Sequence, residues 1–400
     1  MVSPSRRGFT TTRRRVLQGT AALAVGIAAP PILAQTKKPV RIGLLNTFSG
    51  NSAQPGEYNL NGMNIYFERI KWTVAGRKIE VIKEDDQFNP QIGLQKARKF
   101  VESDKVDLIL GPQGSNVALA LLNYVRDTKS FLVVHGAGTD TITWEHLPRK
   151  FRTSFSTWQL SHPMAEYVYD HVAKEIVVTA ADYAGGRDVL REFKISYEAK
   201  GGKVIKEIYP PLNTTDFSPY LADIRAINPP ATYSFYPGQD TIRFVQQYSQ
   251  FGIKAKLTGF SALVDATTVD AQGHAALGAL TPTTYTDLLD NAENKLFVEE
   301  YRARFKDYPN SFCEYGIAAA QVIEAALQGT DGDASDLDKL ADAMVKVRLK
   351  LPRGPFRFDP VTHDPIQDIY ICEMQDTGKR LANVVIATIK DVDAPATKDR

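Results

Sequence analysis

The 400-residue sequence has few residues that could build a disulfide framework or a metal centre. Its two cysteines, Cys313 and Cys372, allow one disulfide at most, and Cys372 lies in an apolar strand-like run that predicts a buried thiol. The six histidines are scattered without the spacing of metal ligands, so we expect neither a metal nor a cofactor. An apolar share of 43% and a charged share of 24% exclude a disordered chain and indicate a globular protein.

Familiar catalytic motifs are also missing. The sequence contains no P-loop, no GxSxG, no HExxH, no CxxC and no SxxK. We therefore predict that the protein is not an enzyme. A hydrolase that uses Ser115 or His135 stays open as an alternative, which chemical change of a bound ligand would support.

Negative charge is absent from the first 34 residues, which contain five arginines: Arg6, Arg7, Arg13, Arg14 and Arg15. The uncharged run 16–29 has 14 residues, and a membrane-spanning helix needs about 20. Two prolines follow, and small Ala34 precedes Gln35, an order typical of a signal peptide cleaved near Ala34. Residues 12–17 resemble the twin-arginine export motif, so we interpret residues 1–34 as a twin-arginine-type signal peptide.

Removal of this segment changes the charge of the protein. The remaining chain has 43 basic and 46 acidic residues, a net charge of −3 against +2 for the whole sequence. No acid-free basic region recurs, which argues against a nucleic-acid partner. No cysteine stands at the cleavage point to carry a lipid, so we expect a soluble periplasmic protein.

From residue 40 onward, short apolar runs alternate with longer amphipathic ones. The predicted strands are 40–45, 78–85, 106–110, 131–134, 175–180, 203–209, 231–236 and 254–259. The predicted helices are 57–72, 90–103, 115–127, 161–173, 186–199, 217–227 and 239–251. Two such β–α series predict two α/β lobes with parallel sheets. Later helices (291–305, 312–328, 336–347) and strands (354–359, 366–374, 383–389) complete the lobes, so the chain must cross between them more than once.

Loops that follow the strands of the first series are small and polar. In open parallel sheets, ligands bind beyond the carboxyl ends of the strands, where glycines let the backbone approach and hydroxyls donate hydrogen bonds. The candidate residues in these loops are Phe48, Gln113, Ser115, Ala137, Gly138 and Thr139. The combination suits a carboxylate held without a full opposing charge. Helix capping by Ser115 and turn formation at Gly138 are the alternatives.

The matching loops of the second series are aromatic. The candidates there are Trp158, Tyr183, Tyr236 and Phe260. Each alone is typical of core or rim packing, but together they predict an aromatic cover for the polar loops. The acidic run 84–86 lacks EF-hand spacing, so we interpret it as solvated loop charge and a helix cap.

Four segments carry a resemblance to a known family: 40–68, 76–112, 151–155 (FRTSF) and 182–186 (DYAGG). In their order and spacing they resemble the branched-chain-amino-acid-type substrate-binding proteins of ABC transporters, the Leu/Ile/Val-binding protein family. The similarity runs from Val40 to about Ile389. It implies a class I periplasmic binding protein: two Rossmann-like lobes, joined by three hinge strands, that close on a ligand without catalysis. We predict that lobe 1 comprises 36–154 and 284–352, and lobe 2 comprises 155–283 and 353–390.

The resemblance also implies a binding site. In the family, hydroxyls and backbone N–H groups of the first lobe hold the ligand carboxylate, which matches Ser115, Ala137 and Thr139. A tyrosine of the second lobe covers the ligand, which matches Tyr183, and Tyr236 has a similar strand-end position. The lobes are expected to rotate about segments near 153–156, 280–285 and 353–355.

Amino-acid binders of the family place an acid after the strand that ends here at Gly259, where it meets the ligand's α-ammonium. Residues 260–264 contain no acid, and an unpaired buried ammonium costs several kcal/mol. Either one of Asp182, Asp240 and Asp265 substitutes, or the ligand has no α-amine. We favour the second option.

The favoured ligand is thus an aromatic carboxylate of the benzoate or phenylpropanoid type, delivered to an inner-membrane ABC permease by a monomeric binding protein. A binding protein for branched-chain or other amino acids, and a ligand sensor with the same fold, are the alternatives.

Overall fold

The computed structural model describes residues 37–397. The predicted signal peptide and its cleavage near Ala34 lie outside the described residues. Within residues 37–397, no helix is long and apolar enough to span a membrane.

The first sheet has six strands in the order β2-β3-β1-β4-β5-β6. Their bounds are β1 Val40–Asn46, β2 Thr73–Val74, β3 Arg77–Asp85, β4 Leu108–Leu110, β5 Leu132–Val134 and β6 Lys150–Arg152. All neighbours pair in parallel except the hairpin β2–β3. The carboxyl ends of β3, β1, β4 and β5 therefore lie along one edge.

The second sheet has nine strands in the order β12-β13-β14-β11-β10-β9-β7-β8, and β15 pairs with β14. Their bounds are β7 Glu175–Ala180, β8 Lys203–Ile208, β9 Ala231–Phe235, β10 Lys256–Gly259, β11 Leu280–Thr283, β12 Arg348–Leu351, β13 Gly354–Phe358, β14 Pro365–Asp376 and β15 Leu381–Val392. Strands β8, β7, β9, β10 and β11 are parallel, and the others pair antiparallel.

Helices cover both faces of each sheet. Their bounds are α1 Ala53–Arg69, α2 Pro90–Lys99, α3 Ser115–Thr128, α4 Asp140–Trp144, α5 Thr157–His171, α6 Ala184–Ala199, α7 Ser218–Ile227, α8 Gln239–Gln250, α9 Val269–Gln272, α10 Ala292–Phe305, α11 Ser311–Gln328 and α12 Leu337–Val345. Helices α1, α11 and α12 pack on one face of the first sheet, and α2 and α3 on the other. Helices α5 and α6 cover one face of the second sheet, and α7, α8 and α9 the other. The prediction of two α/β lobes is confirmed.

Helix α5 begins one turn earlier than predicted. Ser156 accepts a hydrogen bond from the backbone N–H of Gln159, and the Gln159 side chain accepts one from the Ser156 N–H. This reciprocal capping box satisfies N–H groups at the helix start. The apolar periodicity alone did not show it, because the first turn of α5 is partly polar.

The chain passes between the hydrophobic cores of the two sheets through three segments, which we call the first, second and third crossings: 153–156, 284–291 and 359–364. We expected the third hinge segment at 353–355, but β13 follows directly, and its Phe356 and Phe358 pack into the core of the first sheet. Strand β13 nevertheless pairs with β14 of the second sheet. The predicted lobe bounds themselves stay a prediction.

Both cysteines are buried and free. Cys313 lies in α11 and Cys372 in β14, and burial raises the pKa of each thiol to about 12. The prediction of a buried thiol at Cys372 is confirmed.

Candidate functional site

Three loops of the first lobe meet at the carboxyl edge of its sheet. These polar loops are 47–49 after β1, 111–115 after β4 and 135–139 after β5. The Nδ2 of Asn46, the last residue of β1, lies 3.4 Å from Nε2 of His135. A Cβ added to Gly136 would lie 2.8 Å from the Cα of Gln113, so only glycine lets these two backbones approach so closely. Parallel pairing of β1, β4 and β5 thus brings the loops together.

Ser115 joins two of the polar loops. It is the first residue of α3, whose N-cap is Gly114, and its side chain caps no helix N–H. Instead its Oγ accepts a hydrogen bond of 3.3 Å from the backbone N–H of Thr139. Because Oγ is the acceptor in this bond, the hydroxyl proton of Ser115 is left to donate to a ligand oxygen. The structure therefore does not support the alternative that Ser115 caps its helix, and its side chain contacts Thr139 instead.

The other predicted residues of these loops differ in exposure. Ala137, Gly138 and Thr139 are buried, whereas Gln113 is half-buried. The side-chain Oε1 of Gln113 is buried and has no hydrogen-bond partner within residues 37–397. A ligand group that donates a hydrogen bond, such as a hydroxyl, would satisfy this acceptor.

Asp86 corrects our interpretation of the acidic run. It is fully buried rather than solvated, and its Oδ1 accepts hydrogen bonds from the Thr47 hydroxyl at 2.6 Å and the Phe88 N–H at 2.8 Å. Asp85 similarly accepts from the Phe48 N–H at 2.9 Å. The run therefore holds the loop after β1 in place. Sequence periodicity placed these acids at a strand end but could not show which of them turn inward.

His135 is the first residue of the polar loop 135–139. Its side chain is buried, and burial lowers its pKa to about 4. In the unfolded chain the imidazole titrates near pH 6.5. Between these two values the unfolded chain binds a proton that the folded protein does not. Stability should therefore fall as the pH falls from about 6.5 to 4, by about 3 kcal/mol in total from this group.

Replacing His135 with Gln should make the free energy of unfolding depend less on pH between about pH 6.5 and 4. Urea unfolding of both proteins at pH 7 and pH 4.5 measures the difference. His274→Gln, a change at an exposed histidine, is the matched control and should leave the profile as it is. An unchanged slope in His135→Gln would contradict the assignment.

Five aromatic rings form a continuous series that we call the aromatic wall. Three come from the second lobe, one from the segment 153–156 and one from α11. The successive centroid distances are 5.6 Å from Tyr315 to Phe155, 6.3 Å from Phe155 to Phe260, 5.4 Å from Phe260 to Phe235 and 6.4 Å from Phe235 to Tyr183. Of these, Phe155, Phe235 and Tyr183 are half-buried. Two predicted residues, Tyr183 and Phe260, belong to the wall.

Gly138 is where the polar loops meet the aromatic wall. A Cβ at this position would lie 2.7 Å from Cε2 of Phe155. The Gly138 carbonyl accepts hydrogen bonds from the N–H and the hydroxyl of Thr157, at 2.6 and 3.0 Å, at the start of α5. The missing side chain thus lets a ring lie directly against the polar loop, which places a flat apolar surface beside hydrogen-bond donors.

Tyr236 does not contribute to this surface. It is fully buried between Phe217 and Phe244, and its hydroxyl lies 2.5 Å from that of Thr179. Consecutive residues along an extended chain point to opposite faces, so Phe235 reaches the wall while Tyr236 enters the core under α7 and α8. Our prediction of Tyr236 as a ligand-binding residue is corrected accordingly.

The rings of Phe48 and Trp158 contact side chains outside the aromatic wall. Lys83 Nζ lies 4.1 Å from the centroid of the Phe48 ring, which also packs against the core of the first sheet. Trp158 stacks on His162 at 4.4 Å, and its backbone N–H donates to Asp140 at 3.1 Å. These contacts place neither ring in the wall.

The three acids considered for an α-ammonium have different environments. Asp182 is paired with Arg187 at 2.6 Å. Asp240 is buried and accepts hydrogen bonds from Arg243 at 3.1 Å and the Asn213 N–H at 2.7 Å. Asp265 is half-buried, and its Oδ1 accepts from the Thr267 hydroxyl and N–H. Two of the three acids thus already have a cationic partner.

Comparison with known proteins agrees with this two-lobed arrangement. A family model described as periplasmic binding protein matches residues 39–379. The chain belongs to this family. Leu/Ile/Val-binding protein homolog 6 of Brucella melitensis is 30% identical to this periplasmic binding protein, over 84% of this chain and 87% of its own length. The resemblance to the branched-chain-amino-acid type is confirmed.

Two solved structures are similar to this periplasmic binding protein over nearly their whole length. A solute-binding protein of an ABC transporter from Rhodopseudomonas palustris BisB5, in complex with 3,4-dihydroxybenzoic acid, is 32% identical with a TM-score of 0.84, covering 89% of this chain and 99% of that one. A solute-binding protein from R. palustris in complex with benzoate is 30% identical with a TM-score of 0.81, covering 90% and 99%.

In the part of the chain that the structure describes, no group of three or more His, Cys, Asp or Glu side chains is arranged to hold a metal ion.

Proposed function

We propose that this protein is the extracytoplasmic solute-binding protein of an ABC importer and that its ligand is a small aromatic carboxylate of the benzoate type. The observation that carries the proposal is the contact between the polar loops and the aromatic wall at Gly138 and Phe155. The hydroxyl of Ser115, the side-chain N–H of Gln113 and the backbone N–H groups of the loop 135–139 would donate to the carboxylate, and the wall would stack on the ring. Stacking adds about 0.5–1.5 kcal/mol per ring pair beyond area burial.

The state of the acids supports a ligand without an α-amine. Arg187 and Arg243 already pair with Asp182 and Asp240, so each of these acids has a cationic partner without an α-ammonium. Similarity to proteins crystallised with benzoate and 3,4-dihydroxybenzoic acid points the same way. Asp265 has no cationic partner among these contacts, so it is the acid that could pair with the α-ammonium of an amino acid. Because one relative is named for leucine, isoleucine and valine, the ligand screen includes leucine and valine.

Delivery completes the proposed role. Export by the twin-arginine-type signal peptide, cleavage near Ala34 and transfer of the ligand by a monomer to an inner-membrane permease are parts of the same proposal. Genes for a permease and an ATPase beside the gene for this protein would distinguish an importer component from a sensor.

A thermal-shift screen of the mature protein tests the ligand class. Benzoate, 3,4-dihydroxybenzoate and 3-phenylpropanoate should raise Tm, whereas leucine and valine should not. At 100 times Kd a ligand stabilises the folded state by about 2.7 kcal/mol. Benzyl alcohol, which keeps the ring and lacks the carboxylate, is the matched control and should give no shift. Stabilisation by leucine or valine, without any by the aromatic acids, would overturn the proposal.

A further inference from the structure

Arg353 lies in the turn between β12 and β13 and contacts the first of the segments that connect the lobes. Its side chain is fully buried. The Nη1 group donates hydrogen bonds of 3.0 Å to the carbonyls of Thr153 and Ser154 in the first crossing, and one of 2.9 Å to Oε1 of Gln367 in β14. Gln367 in turn donates to the Ser154 carbonyl at 2.7 Å. One guanidinium therefore joins the first crossing to the strand that follows the third.

The counter-ion of Arg353 comes from the first lobe. Nη2 of Arg353 lies 2.5 Å from Oε2 of Glu314 in α11, and both side chains are fully buried. Removing one partner of such a pair leaves an uncompensated buried charge. The pair therefore ties the crossings to α11, which packs against α1 in the core of the first sheet.

Arg353 also reaches the second crossing and the ligand site. Its guanidinium lies 5.1 Å from the centroid of the Tyr315 ring. The Tyr315 hydroxyl accepts a hydrogen bond of 3.2 Å from Thr284, the first residue after β11. Tyr315 is the end of the aromatic wall, 5.6 Å from Phe155 of the first crossing. The hinge and the wall thus share a side chain.

We propose that Arg353 is a positioning residue that couples the aromatic wall to the hinge. A planar guanidinium presents its donors in a fixed geometry, so the first crossing and β14 cannot shift independently while its hydrogen bonds hold. Restraint of the crossings narrows the range of orientations that the two lobes can adopt. The contact with Tyr315 fixes the position of the aromatic wall relative to the crossings. A ligand then meets a surface that is already arranged for it. This inference rests on the proposed closure of the lobes on a ligand.

The test compares the wild type with Arg353→Met combined with Glu314→Gln, which removes both charges and leaves none buried alone. Cysteines introduced at the exposed positions Asp127 and Glu198 carry dyes for single-molecule FRET, since the native thiols are buried. The ligand-free variant should show a broader distribution of interlobe distances than the wild type. Its Kd for benzoate should rise about tenfold, mainly through faster release.

Met344→Ala in α12 is the control, because it removes a buried side chain of the first core away from the crossings and should leave the distance distribution unchanged. If the double variant does not fold, Arg353→Lys keeps the charge beside Glu314 with fewer donors and should still broaden the distribution. An unchanged distribution in a folded variant would overturn the inference. That measurement needs no ligand, so it decides the role of Arg353 even if the aromatic-acid proposal fails in the ligand screen.

Discussion

Replacing Arg152 with Met should lower the free energy of unfolding by about 3–5 kcal/mol, the usual cost of leaving one member of a buried ion pair alone. Arg152 and Asp364 are both fully buried. The arginine Nε lies 3.2 Å from Oδ1 of Asp364, and Nη2 forms the ion pair with Oδ2. Without the arginine, the Asp364 carboxylate would be charged in the interior with only the hydroxyl of Thr143 and the nearby Lys150 to stabilise it. Urea unfolding at pH 7 measures the loss.

The same variant should weaken ligand binding. Nη1 of Arg152 donates to the carbonyls of Thr139 at 3.0 Å and Ala137 at 3.4 Å. These bonds support the loop 135–139 from beneath. Isothermal titration with benzoate should therefore show a higher Kd in the folded variant.

The pH dependence of the Arg152→Met effect follows from Asp364. Burial alone would raise the pKa of Asp364, but the charges of Arg152 and Lys150 outweigh burial and lower it below its ordinary value. A carboxylate with a lowered pKa stabilises the fold above the unfolded value and loses that contribution as the pH falls through the folded value. The difference between wild type and Arg152→Met should therefore shrink below about pH 4.

Arg152→Met combined with Asp364→Asn is the control, since it removes both charges and should recover most of the stability. An exposed ion pair contributes at most about 1 kcal/mol. If Arg152→Met lowers the free energy of unfolding at pH 7 by less than this, the assignment of a buried ion pair between Arg152 and Asp364 is contradicted.

The second large effect is expected at Ser115. Ser115→Ala should raise the Kd for benzoate about 10- to 100-fold, because a hydrogen bond to a charged group contributes about 1.5–3 kcal/mol. Its hydroxyl accepts from the Thr139 N–H, so its own proton is available to the ligand carboxylate. The change also removes the acceptor of the Thr139 N–H, so the ligand-free protein should lose about 1 kcal/mol of stability and stay folded. Isothermal titration and thermal unfolding measure the two quantities.

Ser249→Ala in α8 is the matched change at an exposed serine and should leave Kd as it is. Kd within twofold of wild type in a folded Ser115→Ala protein would show that the carboxylate binds elsewhere.

Most of the fold could be predicted from local pattern. Mostly apolar runs such as 40–45 and 175–180 became central strands that are buried except at Arg41 and Glu175, and amphipathic segments became the covering helices. Short elements without an apolar period, such as α4, α9 and β6, were not predicted. The cap at Ser156 was missed because its effect depends on a reciprocal contact with Gln159 rather than on periodicity.

The candidate site was predicted unevenly. The polar loops followed from the rule that ligands bind at the carboxyl ends of parallel strands, and the structure brings Ser115 and Thr139 together. Strand alternation could have separated Phe235 from Tyr236, since neighbours in a strand face opposite ways. Nothing in the sequence around Tyr315 or Arg353 indicates a place beside the site, because both are brought there by contacts with distant segments.

The sequence by itself determined that this protein has two α/β lobes and belongs to the periplasmic binding proteins, because hydrophobic period and motif order are local properties of the chain. Its scarcity of cysteine had already excluded a disulfide framework. Only the tertiary structure decided which rings form one wall, which acids are already paired and which arginines are buried at the crossings. Those features depend on packing between residues 200 or more positions apart, such as Thr153 and Arg353 or Arg152 and Asp364.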